Sequence, residues 1–398
     1  MPEKNLLITA HKSIVLQEEN DEVQQVIVDG VPHDFPEPAT DSSSKRAFAT
    51  KLMREHYSEI LRSHFENLII LTGAGSSVGF GGPLMKDLWQ SVEEHFTEAR
   101  FRIFCEKVGF DYTKKDLEGF LSRASVAKDF IALEGDESLA DVISQCESII
   151  YAKCKFLLPE DAPHVHFMNK VTNRKLKDPR VKVFTLNYDS LFEQASTKGN
   201  FTVIDGFSFT SPRTLSGRNF DYDIVYREKS RIKEEESFVP KVFHLYKPHG
   251  SINWKLEEGT GRVIIDDNPD KPLLIYPKDS KYENSYEQPF FEMMSRFQQN
   301  LRNDNVMLIC IGFSFWDKHI VTAIKEAVEQ NPSFRLLIVN PSISEPMSPF
   351  IELAKHQLNI TYISEKFNDF AENYPFSPIY SKSFEKPKQL HNDEPSSV

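Results

Sequence analysis

Paired cysteines are missing from this chain. Its four, Cys105, Cys146, Cys154 and Cys310, form no C-x-x-C pair, which argues against a zinc ribbon or other metal module. Scattered thiols of this kind fit buried positions in a cytoplasmic protein. No apolar run approaches the roughly 20 residues that cross a bilayer, so no membrane span is expected. Met1-Pro2-Glu3-Lys4-Asn5 leads into a short apolar stretch with polar flanks, and no signal peptide is read there. Positive charge is also in deficit: 59 acidic side chains against 47 basic ones give a net charge of -12. Such a surface argues against direct nucleic-acid binding, which needs clustered Lys and Arg. No internal repeat is visible. What remains is ordinary globular material. Of the 398 residues, 40% are apolar, enough for one large domain or two or three smaller ones.

Short strand-like runs, Leu6-Leu7-Ile8, Ile14-Val15-Leu16 and Val26-Ile27-Val28, mark residues 1–43 as an N-terminal appendage. Asp29-Gly30, Pro32, Pro36 and Pro38 interrupt the strand pattern, and Asp41-Ser42-Ser43-Ser44 offers an N-cap. The helix after it carries Phe48, Leu52, Met53, Tyr57, Ile60 and Leu61 at a period near 3.6. A catalytic domain is expected over residues 44–380, with a helical insertion at about 84–175. Val181 to Thr185, Phe243 to Tyr246, Val263 to Ile265, Leu273 to Tyr276, Val306 to Gly312 and Leu336 to Asn340 read as strands, and Phe290 to Leu301 as a helix. Arg227 to Glu236 is a mixed-charge run that fits a solvated helix or loop. Residues 381–398 have the composition of a disordered tail. Near-continuous apolar strands alternating with helices imply an α/β fold: a Rossmann-like, doubly wound parallel sheet.

In such a sheet the ligand lies beyond the carboxyl ends of the strands. The apolar run Leu68-Ile69-Ile70-Leu71 enters Thr72-Gly73-Ala74-Gly75-Ser76-Ser77. A buried strand that stops at close glycines, with a helix expected directly after, can hold a nucleotide pyrophosphate. The bland alternative is a strand-to-helix turn that needs glycine for its own geometry. Three downstream segments fall at equivalent strand ends: Thr185-Leu186-Asn187-Tyr188-Asp189, Lys247-Pro248-His249-Gly250 and Ile311-Gly312-Phe313-Ser314-Phe315. A further strand ends in Asn340.

In this order the segments resemble the sirtuin superfamily, with its GAG-x-S, T-x-N-x-D, HG and late G-x-S motifs. The resemblance spans roughly residues 65–345. It is nearer to the sirtuin-like proteins of bacterial antiphage defence, as in sirtuin–HerA systems, than to protein deacylases. Gly312-Phe313-Ser314-Phe315 with Asp317, Gly82-Pro83 followed by Trp89, and Tyr276-Pro277 followed by Lys281-Tyr282 and Pro289 look like that branch. Deacylases carry G-I-P-D-F-R after the glycines, where this chain has Gly82-Pro83-Leu84-Met85-Lys86. They also usually carry a four-cysteine zinc module, which is absent here.

The resemblance implies an NAD glycohydrolase that releases nicotinamide and ADP-ribose, consumes NAD as its substrate and needs no metal. It implies that Gly73, Ala74, Gly75, Ser76, Ser77, Thr185, Gly312, Ser314 and Asn340 bind the dinucleotide. Catalysis would fall to Asn187, to His249 as general base and to Asp189 beside the nicotinamide. Each residue has a plainer reading: Asn187 and Asp189 as caps of the helix at Ser190 to Ala195, His249 as a structural histidine, and Gly312, Ser314 and Asn340 as strand-end turn residues. Asp317 reads as a helix N-cap, Met293-Met294 as core, and His164-x-His166, with no third ligand evident, as a surface or helix-cap pair. A homo-oligomer and a defence partner, a HerA-like ATPase or an Argonaute-like protein, are implied to gate activity. Alternatives are an NAD-dependent deacylase or ADP-ribosyltransferase, and a non-enzymatic NAD or ADP-ribose sensor. A Rossmann dehydrogenase fits least, because no acidic residue ends a strand about 20 residues after the glycines. Whether the product is linear or cyclic is open.

Overall fold

The central strands are apolar on both faces, and that pattern sets the architecture. The computed structural model describes residues 2–35, 41–131, 138–175, 177–226, 238–275 and 289–376. The Arg227 to Glu236 run, Pro36 and Pro38, Tyr276-Pro277, Lys281-Tyr282 and the 381–398 tail lie outside them.

The strands, in chain order, begin with four near the N-terminus: β1 (Glu3–Ile8), β2 (Ser13–Glu19), β3 (Glu22–Val28) and β4 (Val31–Pro32). Next come β5 (Asn67–Thr72), β6 (Val181–Thr185), β7 (Thr202–Ile204) and β8 (Val242–Tyr246). Four short strands come after these: β9 (Gly250–Ser251), β10 (Trp254–Leu256), β11 (Val263–Ile265) and β12 (Leu273–Leu274). The last are β13 (Val306–Ile311), β14 (Phe334–Val339) and β15 (Ile360–Ile363). The helices are α1 (Ser42–Arg62), α2 (Met85–Phe96), α3 (Glu98–Lys107), α4 (Leu117–Ala127), α5 (Leu139–Cys154) and α6 (His164–Thr172). They continue with α7 (Leu191–Gly199), α8 (Phe290–Leu301), α9 (Lys318–Gln330), α10 (Ser348–Ala354) and α11 (Phe367–Asn373).

One sheet has the order β4-β3-β2-β1-β15-β14-β13-β5-β6-β8-β7. From β15 to β7 all neighbours pair parallel. Alternate residues of each strand face opposite ways. Ile69, Leu71, Leu308, Cys310, Leu336 and Ile338 bury one face against α8, α9 and α10. Leu68, Ile70, Met307, Ile309, Leu337 and Val339 bury the other against α1, α6 and α11. The sheet is therefore doubly wound, as the sequence predicts.

The N-terminal strands are continuous with this sheet. β1 pairs antiparallel with β15, matching Leu7 to Ile363 and Ile8 to Tyr362. Leu6, Leu7, Ile14, Leu16, Val23 and Val26 share a core with Ala49, Met53, Tyr57 and Leu61 of α1. That helix starts where Asp41 accepts the Ser44 amide at 2.9 Å.

Helices α2 to α5 form a separate apolar layer around Trp89, Phe101, Phe120 and Ile150. Tyr188, Ile252 and Leu274, from segments that connect strands of the parallel sheet, are part of the same cluster. All four cysteines are buried and free. Cys105, Cys146 and Cys154 lie in the helical layer and Cys310 in the sheet. No described helix is long and apolar enough to cross a membrane.

Candidate active site

The chain runs from β5 toward β6 on one side of the sheet, while β13 to β15 build outward on the other. The switch point lies between β5 and β13, where open α/β sheets form their ligand crevice. Both strands end there in glycine loops, and the two loops touch through backbone. The Gly75 amide donates to the Gly312 carbonyl at 3.0 Å, and the Gly73 amide to the Ile311 carbonyl at 3.0 Å. A Cβ on Gly75 would stand 2.5 Å from the Gly312 Cα, and one on Gly312 would stand 2.5 Å from the Gly75 Cα. Gly312 also has φ +58°, the left-handed region that favours glycine.

Gly312→Ala is therefore expected to lose about 1–2 kcal/mol from backbone strain alone, and more from the contact with Gly75. Gly30→Ala is the control. Gly30 has φ +79°, and a Cβ there would meet nothing within 4 Å. Urea melts should rank Gly312→Ala clearly below Gly30→Ala; equal midpoints would refute the close approach.

The turn after β5 differs from the expected strand–glycine–helix unit. Two short 3-10 turns, Ala74–Ser76 and Val78–Phe80, come after Gly73, and the next α-helix waits until Met85. Gly81, at φ +100°, and Gly82-Pro83 intervene, so the chain cannot continue as an α-helix there. No α-helix follows the glycines directly in the chain.

Asn187 joins the loop after β6 to this turn. Its Nδ2 donates to the Gly73 carbonyl at 3.1 Å, to Ser76 Oγ at 3.2 Å and to Ser77 Oγ at 2.8 Å. A carbonyl oxygen only accepts, so the contact with Gly73 fixes the amide orientation. Oδ1 makes no hydrogen bond to a described residue and is the atom left for a ligand. The serine hydroxyls point inward too: Ser76 donates to the Gly73 carbonyl at 2.9 Å and Ser77 to Asp189 Oδ2 at 2.7 Å. Asp189 Oδ1 accepts the Leu191 amide at 3.1 Å, at the start of α7. Burial raises the Asp189 pKa against the opposing charge of Lys247 and the Ser77 bond. The Thr185 hydroxyl accepts the Asn187 amide at 3.3 Å.

The loop after β8 is pinned by Lys247, a residue to which the sequence pattern assigns no task. Its side chain, 2% exposed, donates to the Asp189 carbonyl at 2.5 Å, to Ser251 Oγ at 2.7 Å and to Glu193 Oε1 at 3.0 Å. It ties the loops after β6 and β8 together, and His249 sits two residues further on. The His249 side chain is 5% exposed, and its Nε2 meets Asp317 Oδ2 at 3.0 Å. Asp317 Oδ1 accepts the His319 and Ile320 amides at 2.9 and 3.2 Å, so it also caps α9. Burial disfavours the imidazolium, but the Asp317 hydrogen bond and the charges of Glu118 and Asp317 outweigh it and raise the His249 pKa. Burial also opposes the Asp317 carboxylate; the bond to His249 and its charge prevail and hold the Asp317 pKa below its ordinary value.

Tyr188 connects the two halves. Its ring centroid lies 6.5 Å from that of His249, and its hydroxyl donates to Glu118 Oε1 at 2.6 Å. Glu118 lies on α4, in a helical stretch with no motif around it, and its sequence pattern gives no functional signal. The remaining predicted residues lie on the β13 side. Asn340 Nδ2 donates to the Phe313 carbonyl at 2.9 Å, and the exposed Ser314 accepts the Ser344 hydroxyl on its carbonyl at 2.6 Å. Phe315, at φ +63°, turns the chain between Ser314 and Asp317.

His164 departs from the surface or cap position expected for it. It is fully buried among Phe80, Phe192 and Phe367, and burial, opposed by the Ser76 backbone beside it, pushes its pKa down to about 4.

Residues 181–363, from β6 through β15, match the family model described as a SIR2-like domain. The matched segment contains Asn187, His249, Gly312 and Asn340; the Gly73–Ser77 turn precedes it. Similar solved structures include a complex of a Sir2 homologue with NAD, at 13% identity over 80% of this chain and 91% of that one, with a TM-score of 0.38. A mutant Sir2 homologue in complex with ADP-ribose is 13% identical over 80% of this chain and 94% of that one, with a TM-score of 0.40. A structure solved for the mechanism and regulation of Sir2 enzymes is 11% identical over 81% of this chain and 96% of that one, with a TM-score of 0.41. No curated protein matches the chain.

Proposed function

We propose that the protein hydrolyses NAD between nicotinamide and ribose, releasing nicotinamide and ADP-ribose. The observation that carries this reading is the placement of two groups on the loops after the adjacent strands β6 and β8. One is the Asn187 amide, with Oδ1 unengaged; the other is the imidazole of His249, held by Asp317. The SIR2-like domain supports it as the fold of an NAD-using enzyme family.

In the reaction the bond from the ribose anomeric carbon to the pyridinium nitrogen breaks, and the electron pair leaves with nicotinamide. The transition state carries positive charge on the ribose, as in other glycoside cleavages. Water bonds to the anomeric carbon and loses a proton. His249 accepts that proton as general base, and Asp317 fixes its ring and stabilises the imidazolium. Asn187 Oδ1 accepts a hydrogen bond from the water or from a ribose hydroxyl. The dinucleotide backbone would lie in the crevice beyond the ends of β5 and β13, at the switch point.

Unchecked, this activity would exhaust the host's NAD. We therefore extend the proposal to a cytoplasmic antiphage system in which a partner, of HerA-like or Argonaute-like type, or assembly of copies, gates turnover. The motif resemblance is the support for that extension.

The test is to incubate the purified chain with NAD, with and without its candidate partner, and to follow nicotinamide by chromatography. Release that depends on both Asn187 and His249 is expected. Release surviving alanine at both positions overturns the mechanism, binding without turnover supports a sensor, and release only with an acylated peptide supports a deacylase.

A further inference from the structure

The helical layer contributes a group to this site. Glu118 leaves the α2–α5 core to accept the Tyr188 hydroxyl at 2.6 Å. Tyr188 stands between Asn187 and Asp189 in sequence, and its ring faces that of His249 at 6.5 Å between centroids. The same hydroxyl lies 3.4 Å from the Ile275 carbonyl, which further fixes the ring.

We propose that Glu118 is a positioning residue for His249: its carboxylate, anchored by Tyr188, holds the loop after β6 and adds a second negative group, after Asp317, to the environment of the imidazole. The titratable groups around that imidazole are Asp317 at the start of α9, Glu118 on α4 and the Tyr188 phenol. Asp116 acts in turn on Glu118, His319 on Asp317, and the Cys154 thiol of α5 lies within the influence of Asp189, Lys247 and Glu118. Burial raises the Glu118 pKa; the His249 charge and the Tyr188 bond oppose that rise, as the Glu118 charge in turn favours the imidazolium. The insertion and the sheet are thereby coupled through one charge pair.

The kinetic arm of the test rests on the hydrolase reading; the titration arm does not. Glu118→Gln keeps an oxygen for the Tyr188 hydroxyl and removes the charge. Histidine NMR titrations of the full chain, with the His249 signal assigned by its loss in His249→Ala, should show its midpoint falling by roughly 0.5–1 pH unit in Glu118→Gln. The pH midpoint of nicotinamide release should fall with it. Tyr188→Phe, which frees Glu118, should move both in the same direction by less. An unmoved His249 titration in a folded Glu118→Gln or Tyr188→Phe protein overturns the inference, as does a rise. If wild-type protein releases no nicotinamide with any partner, the hydrolase reading falls and the NMR titration alone decides the role of Glu118.

Discussion

Nicotinamide release is expected to fall by about 10²–10⁴-fold when His249 is replaced by alanine, the usual range for loss of a general base. NAD binding should change far less if, as proposed, the dinucleotide is held by the glycine loops and Asn187, which lie on other loops than His249. The pH profile gives the sharper check. Only the neutral imidazole can accept a proton, and the His249 pKa stands above its ordinary 6.5. The rate should therefore climb with pH and level off only above that raised value. Asp317→Asn preserves a good N-cap for α9 and removes the charge that favours the imidazolium, so the profile should shift to lower pH. Stability runs in the opposite sense. A raised folded-state pKa stabilises the fold fully below about pH 6.5, and that share is lost as pH rises through the raised value. A wild-type rate in His249→Ala, or a profile unmoved by Asp317→Asn, would refute the assignment.

Asn187→Asp should be more damaging than Asn187→Ala, although aspartate is nearly the same shape. The Asn187 amide donates to the Gly73 carbonyl and to two serine hydroxyls. A carboxylate there would set an acceptor against the Gly73 carbonyl. It would also stand beside buried Asp189, which shares Ser77 with it. About 1–3 kcal/mol of stability should be lost, with displacement of the turn lowering turnover by about 10²-fold. Thermal melts and nicotinamide assays on both variants test the order. An aspartate variant as stable as wild type would mean that the amide is not oriented as its contacts require.

The strand ends were legible from sequence because each joins an apolar run to residues with special backbone or polar roles. Val181–Thr185 and Phe290–Leu301 coincide with their predicted bounds. Less legible was whatever depends on tertiary contact. The glycines after β5 read as an anion loop, yet what demands their missing side chains is the Gly312 backbone pressed against them. Asp317 reads as a cap and is one, but its second oxygen engages a histidine 68 positions away. Glu118 is hidden by an ordinary amphipathic helix. His164 reads as polar surface because local sequence does not reveal three aromatic rings brought from distant segments. β7 has only three residues, too few for a periodic signal.

The distribution of thiols makes the molecule its own unfolding reporter. Three of the four lie within the helical layer and the fourth in a central strand, and burial pushes all of their pKa values up. An alkylating reagent added to native protein should meet almost no reactive sulfur. Under mild denaturant, early labelling at Cys105, Cys146 and Cys154 with Cys310 still protected would reveal that the layer bearing Glu118 detaches while the sheet stays closed. Simultaneous labelling at all four would mean that the two melt as one cooperative unit.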